Sequence, residues 1–152
     1  MANTDETRRT TLSRRDRFWL AAVGLGLLGL LATAAVLRPN PTGHGTHQQL
    51  GLPPCTFWTL FHRPCPTCGM TTAWAYLMRG KWLDACRVNA GGALLGVLAM
   101  AAAPWLLGSA IRGNWLGAAP SERAAAWGAA IVLLVTMTDW AIRVLVPLFI
   151  QP

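Results

Sequence analysis

The feature that most restricts this chain is a run of twenty residues, 18–37, without a single charge. At about 1.5 Å per residue, a helix of that length crosses a hydrocarbon core of roughly 30 Å. A second uncharged run covers 90–111, where Pro104 predicts a kink. A third, 124–150, is long enough to span although it carries Asp139 and Arg143. Composition agrees, since 12% of the residues are charged where a soluble domain usually has about a quarter. The expected fold class is therefore an all-α integral membrane protein with three transmembrane helices.

The first run also has the outline of a secretory signal, with a basic flank and the small residues Ala32-Thr33-Ala34. Its apolar stretch exceeds the usual signal core of about 7–15 residues, so an uncleaved anchor is the expectation. The net charge of +7 does not indicate nucleic acid. Five of the thirteen basic residues (Arg8, Arg9, Arg14, Arg15 and Arg17) crowd the N-terminus just before the apolar run, as in the flank of a membrane anchor. That density leads to the expectation of a cytoplasmic N-terminus. The expected division is a basic cytoplasmic tail (1–17), a first span (18–37), an outer loop (38–89), a second span (90–111), a cytoplasmic loop (112–123) and a third span (124–150).

The loop 38–89 carries most of the chemistry. Its start is rich in proline and glycine, hence irregular. Short helices are expected over 54–61, 70–78 and 82–88, with Thr71 and Thr72 available for capping and Gly80 as a stop. Trp58, Trp74, Tyr76 and Trp82 suit a segment lying along the membrane interface. Cys65-Pro66-Thr67-Cys68-Gly69 forms a knuckle in which two sulfurs at i and i+3 can converge on one ion. A complete ribbon needs a second such pair, which this sequence lacks. Further ligands would come from Cys55, His47, His44, His62 or Cys86, and the set Cys55, Cys65, Cys68 and His47 would close a zinc-type site.

Two other chemistries use the same residues. In an oxidising compartment the thiols would form disulfides, as Cys65–Cys68 or as Cys55 with Cys86. A C-P-T-C pair at a helix start also suits thiol–disulfide exchange by Cys65 and Cys68, although the strand–helix context of a thioredoxin-like domain is absent. In the third run, Asp139 and Arg143 stand one turn apart, at ion-pair spacing. They are expected either to satisfy each other or, with Asp139 facing the bundle, to anchor the loop. Trp140 reads as packing.

The stretch from Cys55 through Cys65-Pro66-Thr67-Cys68-Gly69-Met70-Thr71-Thr72-Ala73 to Gly80 and Asn89 resembles the bacterial membrane-protein family called domain of unknown function 2752. Asp139-Trp140 with Arg143 is similar to a Trp-x-x-Arg pattern of that family's last helix. Two positions depart from its pattern: Thr72 stands where many members have arginine, and Ala90 where proline usually follows the asparagine. The resemblance implies a small polytopic membrane protein and no established activity. The resulting expectation is a non-catalytic protein whose loop is fixed by zinc or a disulfide. Its partners would be the lipid bilayer and another protein or a second copy of itself, with no nucleic acid.

Overall fold

A computed structural model describes residues 11–150, with side chains through position 145. It contains α1 (Arg14–Val36), a 3-10 helix (Thr46–Leu50), α2 (Thr56–Phe61), α3 (Met70–Leu77), α4 (Trp82–Val88), α5 (Ala90–Arg112) and α6 (Glu122–Ile150). Among the described residues the β structure amounts to one isolated bridge, Thr11 to Asn114. Three helices are long and apolar enough to cross a membrane: Arg14–Val36, Ala90–Arg112 and Glu122–Leu145.

Each long helix extends past its apolar run for a local reason. α1 begins four residues before the apolar run because Ser13 and Asp16 form a capping box, with Asp16 N–H donating to Ser13 Oγ at 3.2 Å and Ser13 N–H to Asp16 Oδ2 at 3.2 Å. α5 starts on Asn89, whose Oδ1 accepts from Gly92 N–H at 2.6 Å, and it runs on through Pro104. Its far end is closed by Arg17, which donates from Nε to Ala110 O (2.8 Å) and from a terminal nitrogen to Ile111 O (3.2 Å). These bonds set the start of α1 beside the end of α5, so the two helices run antiparallel. The turn into α6 is held by Trp105 Nε1–H to Leu116 O (2.6 Å) and Leu116 N–H to Ser109 Oγ (3.1 Å). α6 then returns along α5, and a Cβ at Gly91 would collide with Thr136. The ends of α1 and α6 and the start of α5 therefore meet at the cysteine loop.

The burial pattern is the inverse of a soluble protein's. The core consists of small residues such as Ala73, Ala75, Ala85, Ala93 and Ala103, while the largest fully buried side chains are polar: Asn89, Thr46, Thr72 and Ser109. Large apolar side chains, including Phe18, Leu25, Leu30, Ile131 and Leu134, point outward. In water that surface would aggregate; in lipid it is solvated, and close backbone contact with internal hydrogen bonding supplies cohesion instead.

The loop forms its three expected short helices and adds the 3-10 turn Thr46–Leu50. Thr71 and Thr72 do not cap α3, which starts on Gly69 in left-handed geometry without a side-chain cap. Thr72 instead turns inward, its hydroxyl 2.7 Å from that of Thr46, which also accepts from Asn40 N–H at 3.0 Å. That buried pair ties the irregular start of the loop to α3. At the other end, Gly80 N–H reaches Leu77 O (2.9 Å) and Lys81 N–H reaches Tyr76 O (3.0 Å), which closes the helix at the expected stop. Trp74 is not a simple interface anchor, since its indole N–H donates to Gly92 O at 2.8 Å and fixes α3 against α5.

Candidate metal centre

The three sulfurs of Cys55, Cys65 and Cys68 lie within 4.8 Å of one another. Cys55 sits at the start of α2, and Cys65 and Cys68 flank the knuckle turn, where Cys68 N–H donates to Cys65 O at 3.0 Å. Ligand bonds of about 2.3 Å at tetrahedral angles put sulfurs about 3.8 Å apart. The Cys55 thiol lies 3.7 Å from Cys65 Sγ, matching that edge. The three sulfurs could thus hold a metal ion as three protein ligands, with one tetrahedral position left over.

The three cysteines line a cavity of ≈ 570 Å³ together with His44, His47, Trp58 and Met70. His47 shares the cavity but stands outside the sulfur cluster, and its Nε2 lies 3.1 Å from Pro53 O. His44 places Nδ1 3.0 Å from Thr42 O and stacks on Trp58 with ring centroids 4.4 Å apart. His62 ends α2 with a left-handed backbone and is exposed. Cys86 lies on α4, exposed and apart from the trio. All four cysteines are free thiols in the structure.

The thiols are electrostatically unequal. Burial pushes the Cys65 thiol up, but hydrogen bonds from Thr67, Cys68 and Cys55 outweigh it and the net shift is downward. Burial and the neighbouring Cys65 push Cys68 up to about 12. The knuckle therefore places its first negative charge on Cys65, next to the Thr67 hydroxyl at 3.3 Å.

What holds the knuckle comes from far along the chain. Asn89 is fully buried, and its amide nitrogen donates to Pro66 O (3.2 Å) and Cys68 O (3.0 Å) while its oxygen caps α5. Arg143, on α6, donates to Cys68 O at 3.1 Å and Pro66 O at 3.5 Å. Its neighbour Trp140 donates from Nε1 to Pro64 O at 2.8 Å. Every carbonyl named here is turned toward a donor on α5 or α6, which leaves the sulfurs as the knuckle's ligand atoms. Gly69 completes the fit: with φ at +86°, a Cβ there would come within 2.7 Å of Gly43 O and 2.8 Å of Val88 Cγ1.

Asp139 and Arg143 do pair, at 2.7 Å and largely shielded from solvent. The contact is Coulombic rather than an aligned hydrogen bond, since neither Asp139 Oδ2 nor Arg143 Nε has an aligned hydrogen-bond partner. The group that bonds the knuckle is Arg143, with Asp139 behind it as counter-charge, where the sequence left open a self-satisfied pair or Asp139 as the anchor. Trp140 and Asn89 also bond the knuckle segment, a part that the sequence did not assign to them. The signal that points to Trp140 is its position between the two charges, and the signal for Asn89 is an asparagine immediately before an apolar helix.

Residues 55–103 match the family model described as "Protein of unknown function (DUF2752)", the family that the cysteine stretch resembles. The matched segment runs from the first cysteine through the knuckle into α5. No curated protein and no solved structure matches this chain.

Proposed function

We propose that this is a non-catalytic, multi-pass protein of the bacterial inner membrane whose outer loop is organised around a zinc-class ion held by Cys55, Cys65 and Cys68. The observation that carries the reading is the sulfur trio, with its 3.7 Å edge and its knuckle carbonyls bonded elsewhere. The ion would fasten α2 to the knuckle, and through Asn89 and Arg143 to α5 and α6, so a small loop is fixed without a large apolar core. The fourth ligand would be water or an imidazole from the cavity that His44 and His47 line, with His47 the candidate the sequence put forward. The N-terminus is assigned to the cytoplasm on the density of arginine before α1.

Thiol–disulfide exchange by Cys65 and Cys68 is the competing reading. It leaves unexplained why a third thiol sits 3.7 Å from Cys65. One experiment separates the two: metal content and free-thiol count on the same detergent-purified sample. About one zinc per chain, with three thiols released only by chelator, is the expected result. A metal-free sample with a reducible Cys65–Cys68 bond would overturn the metal reading. Cobalt substitution then reports the fourth ligand, since His47→Ala alters the ligand-field bands only if the imidazole is bound.

A further inference from the structure

A second cavity, of ≈ 680 Å³, shares His44, Trp58 and Cys68 with the sulfur cavity but has different chemistry. Its wall collects Arg63, Arg87, Arg143, His44 and His62, and it includes no acidic residue. These groups come from separate elements: α4, α6, the end of α2, and the irregular segments on either side of it. Gathering like charges around one space raises its potential and favours an anion there.

The nearby acids do not neutralise it. Asp139 matches Arg143 at 2.7 Å. Asp84 approaches Arg87 only to 3.8 Å, with both side chains well exposed (77% for the arginine), so water competes for that pair. Arg63 makes no ion pair among the described residues, and its guanidinium donates to Val144 O at 3.4 Å. A net positive charge therefore remains at the cavity, carried mainly by Arg63 and Arg87.

The level of the cavity identifies a source of anions. Val88, on its wall, directly precedes Asn89 at the start of α5. Val144, also on its wall, lies about 33 Å along α6 from Glu122, or about one hydrocarbon thickness. With Glu122 at one interface, the cavity lies at the level of the other, among headgroups, and Trp58 in its lining suits that depth.

We propose that this cavity is a phosphate-binding site, filled by the headgroup phosphate of an acidic phospholipid or by a free phosphate anion. Arg63 and Arg87 are the contacts, because a guanidinium fork matches phosphate oxygens in pairs. Arg143, matched by Asp139, is occupied with holding the knuckle. The proposal stands apart from the metal reading, since no sulfur takes part in it.

The test uses the full chain in uncharged detergent, comparing wild type with Arg63→Gln/Arg87→Gln. Native mass spectrometry and thermal unfolding are followed with phosphatidylglycerol, phosphatidylcholine or inorganic phosphate added. Wild type is expected to prefer phosphatidylglycerol over phosphatidylcholine by about tenfold, and the double variant to lose the preference. Stabilisation by inorganic phosphate that vanishes in the double variant also supports the site, with the free anion as a ligand. Equal binding of both lipids with no response to phosphate overturns it, as does a double variant that binds like wild type. If the double variant does not fold, Arg87→Gln alone decides, because that side chain is exposed. Unchanged anion preference in the single variant refutes the assignment of Arg87 and with it the site.

Discussion

Asn89→Ala isolates the contribution of one buried side chain to the knuckle. The structure gives that side chain three hydrogen bonds: one received from Gly92 N–H, and two donated to Pro66 O and Cys68 O. Loss of the cap costs about 1 kcal/mol. Each lost donor to a buried carbonyl costs about 1 kcal/mol more, at the low end because Arg143 still reaches both oxygens. The sum, about 3 kcal/mol, corresponds to a local opening constant raised about 150-fold. Cys68 reports on that opening because it is 8% exposed when closed. Its alkylation rate in chelator-treated protein at constant pH should rise by about two orders of magnitude, while that of exposed Cys86 stays unchanged. Asn89→Ser keeps an acceptor for the cap and should recover about 1 kcal/mol of the loss. Cys68 labelling within threefold of wild type would refute the claim that Asn89 holds the knuckle shut.

Further outcomes follow from the same structure. Serine at Cys55, Cys65 or Cys68 should reduce bound zinc from about one per chain to near none, whereas Cys86→Ser should leave it unchanged, as read by elemental analysis. Arg143→Met should cost about 3–5 kcal/mol because it leaves Asp139 shielded and unpaired; Asp139→Asn should cost less, and the double variant should recover part of the loss in a denaturation cycle. In the metal-free protein, Cys65 should alkylate before Cys68 near neutral pH, by peptide mass spectrometry, since its thiol is lowered and that of Cys68 is pushed up to about 12. The contribution of Cys68 to stability is fully present below the ordinary thiol pKa of about 8.5 and lost as pH rises toward 12, so metal-free protein should melt progressively lower in that alkaline range. Gly69→Ala should abolish the folded knuckle, because a left-handed φ and a 2.7 Å contact with Gly43 O act together.

Much of the architecture is a property of the sequence alone. The apolar runs near 18–37, 90–111 and 124–150, the first two uncharged and the third carrying only Asp139 and Arg143, force helices, because lipid offers backbone groups no partner outside the chain. Gly80 marked the end of α3, and the spacing of Cys65 and Cys68 marked a convergent sulfur pair, since both are local signals spanning a few residues. Which residue would join that pair was not local. Cys55 and His47 were equally available by composition, and only the folded loop sets Cys55 Sγ 3.7 Å from Cys65 while His47 turns to Pro53 O. The same holds for Asn89, Trp140 and Arg143. Their partners lie 21 to 77 positions away, and hydropathy, which averages over a window, registers a buried asparagine or tryptophan as one more residue near a span. The sequence settled that the chain meets lipid with three helices, because solvation of the backbone is decided segment by segment. The tertiary structure decided which polar groups close on the cysteine knuckle, because each buried carbonyl must find its donor wherever the fold delivers one.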